Sequence, residues 1–354
     1  WLFVAARCVL ALGEAGNFPA AIKVTAEYFP KKDRAFATSI FNAGASVGAL
    51  AAPATIPLLA QYFKDAGIGG GWEMAFVIIG GLGFIWMGFW VFLYDRPEKS
   101  KHVNSAELTY IHQDDEEPAT DAKEEKQEAQ IPFWSCFKYR QTWSFITGKF
   151  FTDGVWWFYL FWAPAYFSDQ YGYKSSSSEA IMLIFTLYAI VTVLSIYGGY
   201  LPKLFVEKKG MNPYGGRMLS MLIFAFFPLL ALFAQPLGAM SAWWPAIIIG
   251  LAGAGHQAWS ANLFSTIGDM FPKSTIATIT GIGGMAGGVG SFLINKGAGA
   301  LFTFSEAQGS AFSFLGFDGK EAGYMIIFCI CAVAYLLAWF IMKALVPKYR
   351  PINL

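Results

Sequence analysis

The chain has 354 residues, of which 56% are hydrophobic, 18% aromatic and only 14% charged, with a mean hydropathy of +0.45. That composition excludes a soluble globular domain and points to a polytopic membrane protein. A formal charge of +1 hides an uneven distribution, because 11 of the 24 acidic residues fall between Asp95 and Glu128.

Nine apolar stretches are long enough to cross a bilayer core, which takes about 20 residues of helix. They cover 1–28, 35–63, 73–94, 143–168, 180–206, 217–239, 242–271, 275–304 and 322–346. In the first, Arg7 and Glu14 stand two helical turns apart and project from one face. A charge at the bilayer centre costs at least about 2.5 kcal/mol on insertion scales, so this face is expected to turn to a bundle interior or a watery cavity. A structural ion pair and a functional site both fit that placement. Gly13, Gly16 and Pro19 follow, allowing close helix contact and a loosened backbone.

In the second stretch Asn42 and Ser46 share one face and supply hydrogen-bonding groups. Residues 95–142 separate the third stretch from the fourth and contain DDEEPATDAKEEKQEAQ. Blocks of like charge with few apolar residues cannot bury a core, so a flexible linker between two halves is expected, 1–94 and 143–354. The fourth stretch places Lys149 and Asp153 at i and i+4, close enough to pair. The pair either positions the helix or serves substrate binding and gating. Trp156 and Trp157 come one turn later, where indole rings can stack on a sugar face.

The seventh stretch carries His256, Gln257 and Ser260 inside an apolar helix. Interhelical hydrogen bonds would satisfy them, and so would a polar ligand. The glycines of the eighth stretch read as a close-packing, flexing element rather than a phosphate cradle, since no strand precedes them. Cys8, Cys136, Cys329 and Cys331 lack metal or redox spacing, and His102, His112 and His256 are scattered. Neither a metal nor a cofactor is expected, and an enzyme would need one of these or a nucleophile motif.

Basic residues cluster after alternate stretches, at Lys31, Lys32, Arg34, Arg96, Lys99, Lys138, Arg140, Lys203, Lys208, Arg217, Lys273 and Lys348. The intervening loops hold only Lys64, Lys174 and Lys320. By the positive-inside rule the linker and the C-terminus are cytoplasmic. A shift of 242 residues lays FPKKDRAFATSIFNAGASVG (29–48) on FPKSTIATITGIGGMAGGVG (271–290), with eight of twenty positions identical. Parallel repeats of this kind mark transporters built from two halves related by an axis along the membrane normal. Six helices follow the linker and three precede it, so three more are expected before Trp1.

The run RCVLALGEAGNFP (7–19) resembles the fourth helix of the anion:cation symporter branch of the major facilitator superfamily. GKFFTDGVWWFYLFWAP (148–164), DRPEK (95–99) and GHQAWSAN (255–262) are most similar to its bacterial hexuronate members. The resemblance implies an all-α membrane protein of two pseudo-symmetric six-helix bundles, with the first three helices absent from this chain. It implies that Glu14 couples protons and that Arg7 handles the anion or the gate. Asn17, Asn42, Ser46, Lys149, Asp153, Trp156, Trp157, Gln257 and Ser260 are the further candidates for binding or gating. Gly154 stands where many hexuronate members carry proline, and the loop GGYLPK (198–203) lacks the acidic residue usual in the superfamily's cytoplasmic gating motif.

The function expected is proton-coupled uptake of a small organic anion, a hexuronate, by alternating access in the cell's inner membrane. Galactonate or glucarate transport, or a non-transporting membrane sensor, are the alternatives. The partners expected are the anionic sugar, protons and the lipid bilayer, with no nucleic acid, and a monomer is expected.

Overall fold

The computed structural model describes residues 1–114, 131–174 and 177–352. Before the acidic stretch run α1 (Leu2–Glu14), α2 (Asn17–Tyr28), α3 (Arg34–Asp65) and α4 (Trp72–Leu93). Within 95–142 lie two short helices, α5 (Ser105–Ile111) and α6 (Phe133–Cys136), so this segment is not wholly irregular. Its acidic centre, 115–130, lies outside the described residues. Then come α7 (Arg140–Tyr171), α8 (Ser178–Lys209), α9 (Pro213–Ala225), α10 (Ala234–Gly238), α11 (Trp243–Met270), α12 (Ile276–Gln308) and α13 (Gly319–Leu345). A small antiparallel hairpin, β1 (Ser313–Phe314) and β2 (Phe317–Asp318), precedes α13.

Local chemistry sets these boundaries. The Ser177 hydroxyl accepts from the Ala180 N–H and the Asn212 carbonyl accepts from the Gly215 N–H, capping α8 and α9. Gly172 and Gly210 take the left-handed conformation that ends α7 and α8. The expected first span is interrupted at residues 15 and 16, because Pro19 has no N–H to return to the Ala15 carbonyl. The sixth is likewise divided: α9 gives way to a 3-10 turn over Pro228–Phe233 before α10 resumes.

Among the described residues six helical segments are long and apolar enough to cross a membrane. The helices α7 and α11 are not among them, although 32 and 28 residues give them roughly 48 and 42 Å of length. Their polar residues lower the mean hydropathy without facing lipid. In α11, 24 of 28 residues are buried, which makes it the central helix, with α7, α8, α9 and α3 packed around it. By contrast α1 buries no residue and α4 only Ala75.

The internal repeat is visible in the backbone. Phe29 (φ −127, ψ 135) ends α2 as Phe271 (φ −115, ψ 151) ends α11. Asp33 (φ −99, ψ −14) opens α3 as Thr275 (φ −101, ψ −13) opens α12. Helix α3 then lies along α8, where two adjacent glycines face two different neighbours. A Cβ on Gly198 would lie 2.1 Å from the Ala258 Cβ of α11, and one on Gly199 would lie 2.5 Å from the Ala35 carbonyl of α3. Glycine therefore fixes the closest approach between the helices before and after the linker.

Gly199→Ala is expected to lower the detergent melting temperature, since overpacking costs about 1–3 kcal/mol. Gly281→Ala, with no atom within 4 Å of the new Cβ, is expected to raise it, because relief of glycine's entropy in a helix gains about 0.5–1 kcal/mol. Scanning calorimetry of the two variants checks the opposite signs.

Candidate functional site

The polar residues of α7 and α11 meet inside the bundle. Lys149 Nζ lies 2.6 Å from Asp153 Oδ2, and the ammonium also sits 4.4 Å from the centre of the Phe264 ring. Gly287 of α12 makes room for the carboxylate: a Cβ there would lie 2.2 Å from Asp153 Oδ2. One turn on, the Trp156 indole stacks on His256, with centroids 5.2 Å apart and planes 6° from parallel. The Tyr335 hydroxyl donates to the Thr152 carbonyl at 3.2 Å and lies 2.7 Å from His256 Nδ1. With its one proton spent on Thr152, the hydroxyl accepts from Nδ1–H, leaving Nε2 as the free acceptor of the ring.

On α3 and α11 lie buried polar atoms without a hydrogen-bond partner among the described residues. They are both amide atoms of Asn42, Ser46 Oγ, Trp259 Nε1 and Asn262 Oδ1. Gln257 and Ser260 are 5% and 6% exposed on the same helix as Trp259 and Asn262. Each buried group left unsatisfied costs about 1–3 kcal/mol, so such groups are candidates for polar contacts. A groove of about 400 Å³ lined by Phe150, Leu293, Ile294, Leu301 and Ile330 is apolar and holds none of these residues, which sets it apart from an anion site.

Other candidates stand elsewhere. Arg7, Glu14 and Asn17 are exposed, and no described helix packs over α1. The Arg7 guanidinium lies 5.6 Å from the Phe3 ring centre, and Glu14 has no ion-pair partner among the described residues. Trp157 is 38% exposed and stacks on Phe161. The helical turn of about 100° per residue carries it away from Trp156 and the polar cluster.

At the end of the bundle where the basic turns lie, a second polar network joins the helices on either side of the linker. Arg217 grips Asp269 with two bonds, Nε to Oδ2 at 2.5 Å and Nη2 to Oδ1 at 2.9 Å, and Nη2 also donates to the Lys31 carbonyl. Arg34 donates to the carbonyls of Gly268, Phe29 and Ala26 at 2.6, 3.0 and 3.0 Å. Lys203 Nζ lies 2.7 Å from Asp33 Oδ1, and the Tyr110 hydroxyl of α5 donates to Asp33 Oδ2 at 2.5 Å. The tail after α13 joins in, the Tyr349 hydroxyl donating to the Asp269 carbonyl at 3.1 Å. Sequence reasoning used Arg34, Lys203 and Arg217 only as orienting charges. The overlooked signal was one acidic residue at each matched turn, Asp33 and Asp269.

Residues 1–294 match the Major Facilitator Superfamily. The chain belongs to that superfamily. It is 30% identical over 302 residues to the hexuronate transporter of Escherichia coli (strain K12), covering 84% of this chain and 65% of the relative. It is 28% identical over 242 residues to the galacturonate transporter of Dickeya chrysanthemi, covering 67% of this chain and 66% of the relative. The D-galactonate transporter of Escherichia coli O6:H1 is 28% identical over 207 residues, 57% of this chain and 46% of that one. These relatives are named as transporters, not enzymes, and the chain spans less than two thirds of the length of each. As a superfamily member with helices of spanning length, the protein is a multi-pass membrane protein.

Removing one partner of the buried Arg217–Asp269 pair strands a charge. Arg217→Met and Asp269→Leu are each expected to cost about 3–5 kcal/mol, whereas the double variant costs less than the sum of the two. Melting temperatures of the two single variants and the double variant in detergent measure this coupling.

Proposed function

We propose that the protein is a proton-coupled symporter that imports a small sugar acid, a hexuronate such as galacturonate or glucuronate. The observation that carries this reading is the buried Lys149 ammonium of α7, two turns before Trp156, together with the buried polar side chains Asn42 and Ser46 of α3 and Gln257 and Ser260 of α11. A uronate presents one carboxylate, an apolar ring face and several hydroxyls. An ammonium, an indole and a set of buried amide and hydroxyl groups answer those three features in turn. The names of the similar transporters, for hexuronate and galacturonate, support the same substrate class. D-Galactonate, the sugar acid in a third relative's name, is the second reading, and it would use the same cation.

Transport proceeds by alternating access, with residues 1–94 and 143–354 rocking about the site and 95–142 joining them. The Arg217–Lys31, Arg34–Gly268 and Lys203–Asp33 contacts, each joining the two halves, suit a state closed at the basic end, which the positive-inside rule makes cytoplasmic. Glu14 carries the coupled proton, and Arg7 and Asn17 handle the anion or the gate. This part of the reading rests on the resemblance of residues 7–19 to the helix-four motif. The linker and C-terminus face the cytoplasm, and the protein works as a monomer in the inner membrane.

Glu14→Gln holds the neutral form, so it is expected to abolish uptake driven by a pH gradient in reconstituted vesicles while exchange of labelled for unlabelled galacturonate continues. Accumulation at the wild-type level would place coupling at another residue. Gln257→Ala is expected to weaken galacturonate binding about tenfold or more with little loss of melting temperature, since it removes a ligand contact and strands no bonded partner. Binding and melting measured on the same preparation separate that outcome from a structural role.

A further inference from the structure

Lys149 already has a carboxylate partner before any anion arrives. The pair lies nine to thirteen residues into α7, roughly 14–20 Å from its start, near the middle of a core about 30 Å thick. Lys149 is buried, its ammonium held between Asp153 Oδ2 and the Phe264 ring. An ammonium has three donors, and one hydrogen bond is made with a side-chain oxygen here. Asp153 leans into the notch left by Gly287, which offers the carboxylate no donor side chain. His256 of α11 and Tyr335 of α13 bond to one another rather than to the pair. The Asp153 carboxylate thus depends on Lys149, while Lys149 can turn to another carboxylate.

We infer that Asp153 is an internal stand-in for the substrate's carboxylate and determines which anions the site accepts. In the empty site Asp153 holds Lys149. An arriving sugar acid exchanges for it: the Lys149 N–H bond to Asp153 Oδ2 breaks, and a bond from the same ammonium to the substrate carboxylate forms. Leaving Asp153 without its cation is unfavourable inside the bundle, so the exchange runs only when the ligand brings further contacts. A sugar acid supplies them through its ring and hydroxyls, beside Trp156 and Gln257. A bare carboxylate such as acetate does not, and the site rejects it. The ligand's identity in this scheme rests on the sugar-acid reading above, whereas the exchange at Lys149 rests on the geometry of the pair.

The test uses the full-length protein with galacturonate and acetate as probes. Asp153→Asn removes the competitor, so galacturonate is expected to bind roughly tenfold or more tightly than to the wild type. A purely structural pair predicts weaker or unchanged binding, and either result overturns the proposal. In the second arm, sodium acetate replaces sodium chloride at equal ionic strength. Acetate is expected to raise the melting temperature of Asp153→Asn, but not of the wild type or of Lys149→Met with Asp153→Asn. If Asp153→Asn folds poorly, acetate is expected to recover it, and failure of that rescue overturns the proposal as well. A wild type that binds no galacturonate would sink the sugar-acid reading, and the acetate arm would still decide the exchange.

Discussion

A charge inside a membrane-depth bundle must find its compensation within the bundle, and most of this structure follows from where that happens. Two buried ion pairs do it at two depths. Lys149 and Asp153 pair within one helix, which needs only i,i+4 spacing and a glycine on the facing helix. Arg217 and Asp269 pair between helices, which needs α9, α11 and the turn at Lys31 to arrive together. The first pair leaves its ammonium open to exchange, while the second spends both carboxylate oxygens and binds carbonyl oxygen besides. They differ in reach: the first stays within one helix, while the second ties α9 to α11 and, through the Lys31 carbonyl, to a turn before the linker.

Helix α11 links the two. It carries Gln257, Trp259, Ser260 and Asn262 at the level of the site and Asp269 at the closed end, and almost all of its surface is buried. Separation of the halves would break the bond from Arg34 to the Gly268 carbonyl, which belongs to this same helix. The glycine pair of α8 lets α3 and α11 approach closely from two sides.

Much of this was legible in the sequence. The i,i+4 spacing of Lys149 and Asp153 gave their pairing, because local helical geometry decides it. The 242-residue repeat gave matched turns whose dihedral angles agree closely at Phe29 and Phe271 and at Asp33 and Thr275. The apolar stretches 143–168 and 242–271 likewise fall on α7 and α11, although α11 is almost wholly enclosed by other helices. The inward orientation of Arg7 and Glu14 presumed neighbours that no described helix provides. The contacts of the basic end could not be read at all, for they depend on distant residues, such as Asp33 and Lys203, meeting through tertiary packing. Tyr335 was equally hidden, one tyrosine among sixteen.

The central claim is that a sugar acid's carboxylate is held by Lys149. Solid-state NMR of the full-length protein in lipid, with 15N-labelled lysine and galacturonate 13C-labelled at its carboxyl carbon, measures that contact through dipolar dephasing, and Lys149→Arg assigns the signal. The account predicts a carboxyl carbon within about 4 Å of Lys149 Nζ, the distance a charge-assisted N–H···O bond imposes. Bound galacturonate that dephases a different lysine, or none, would contradict it.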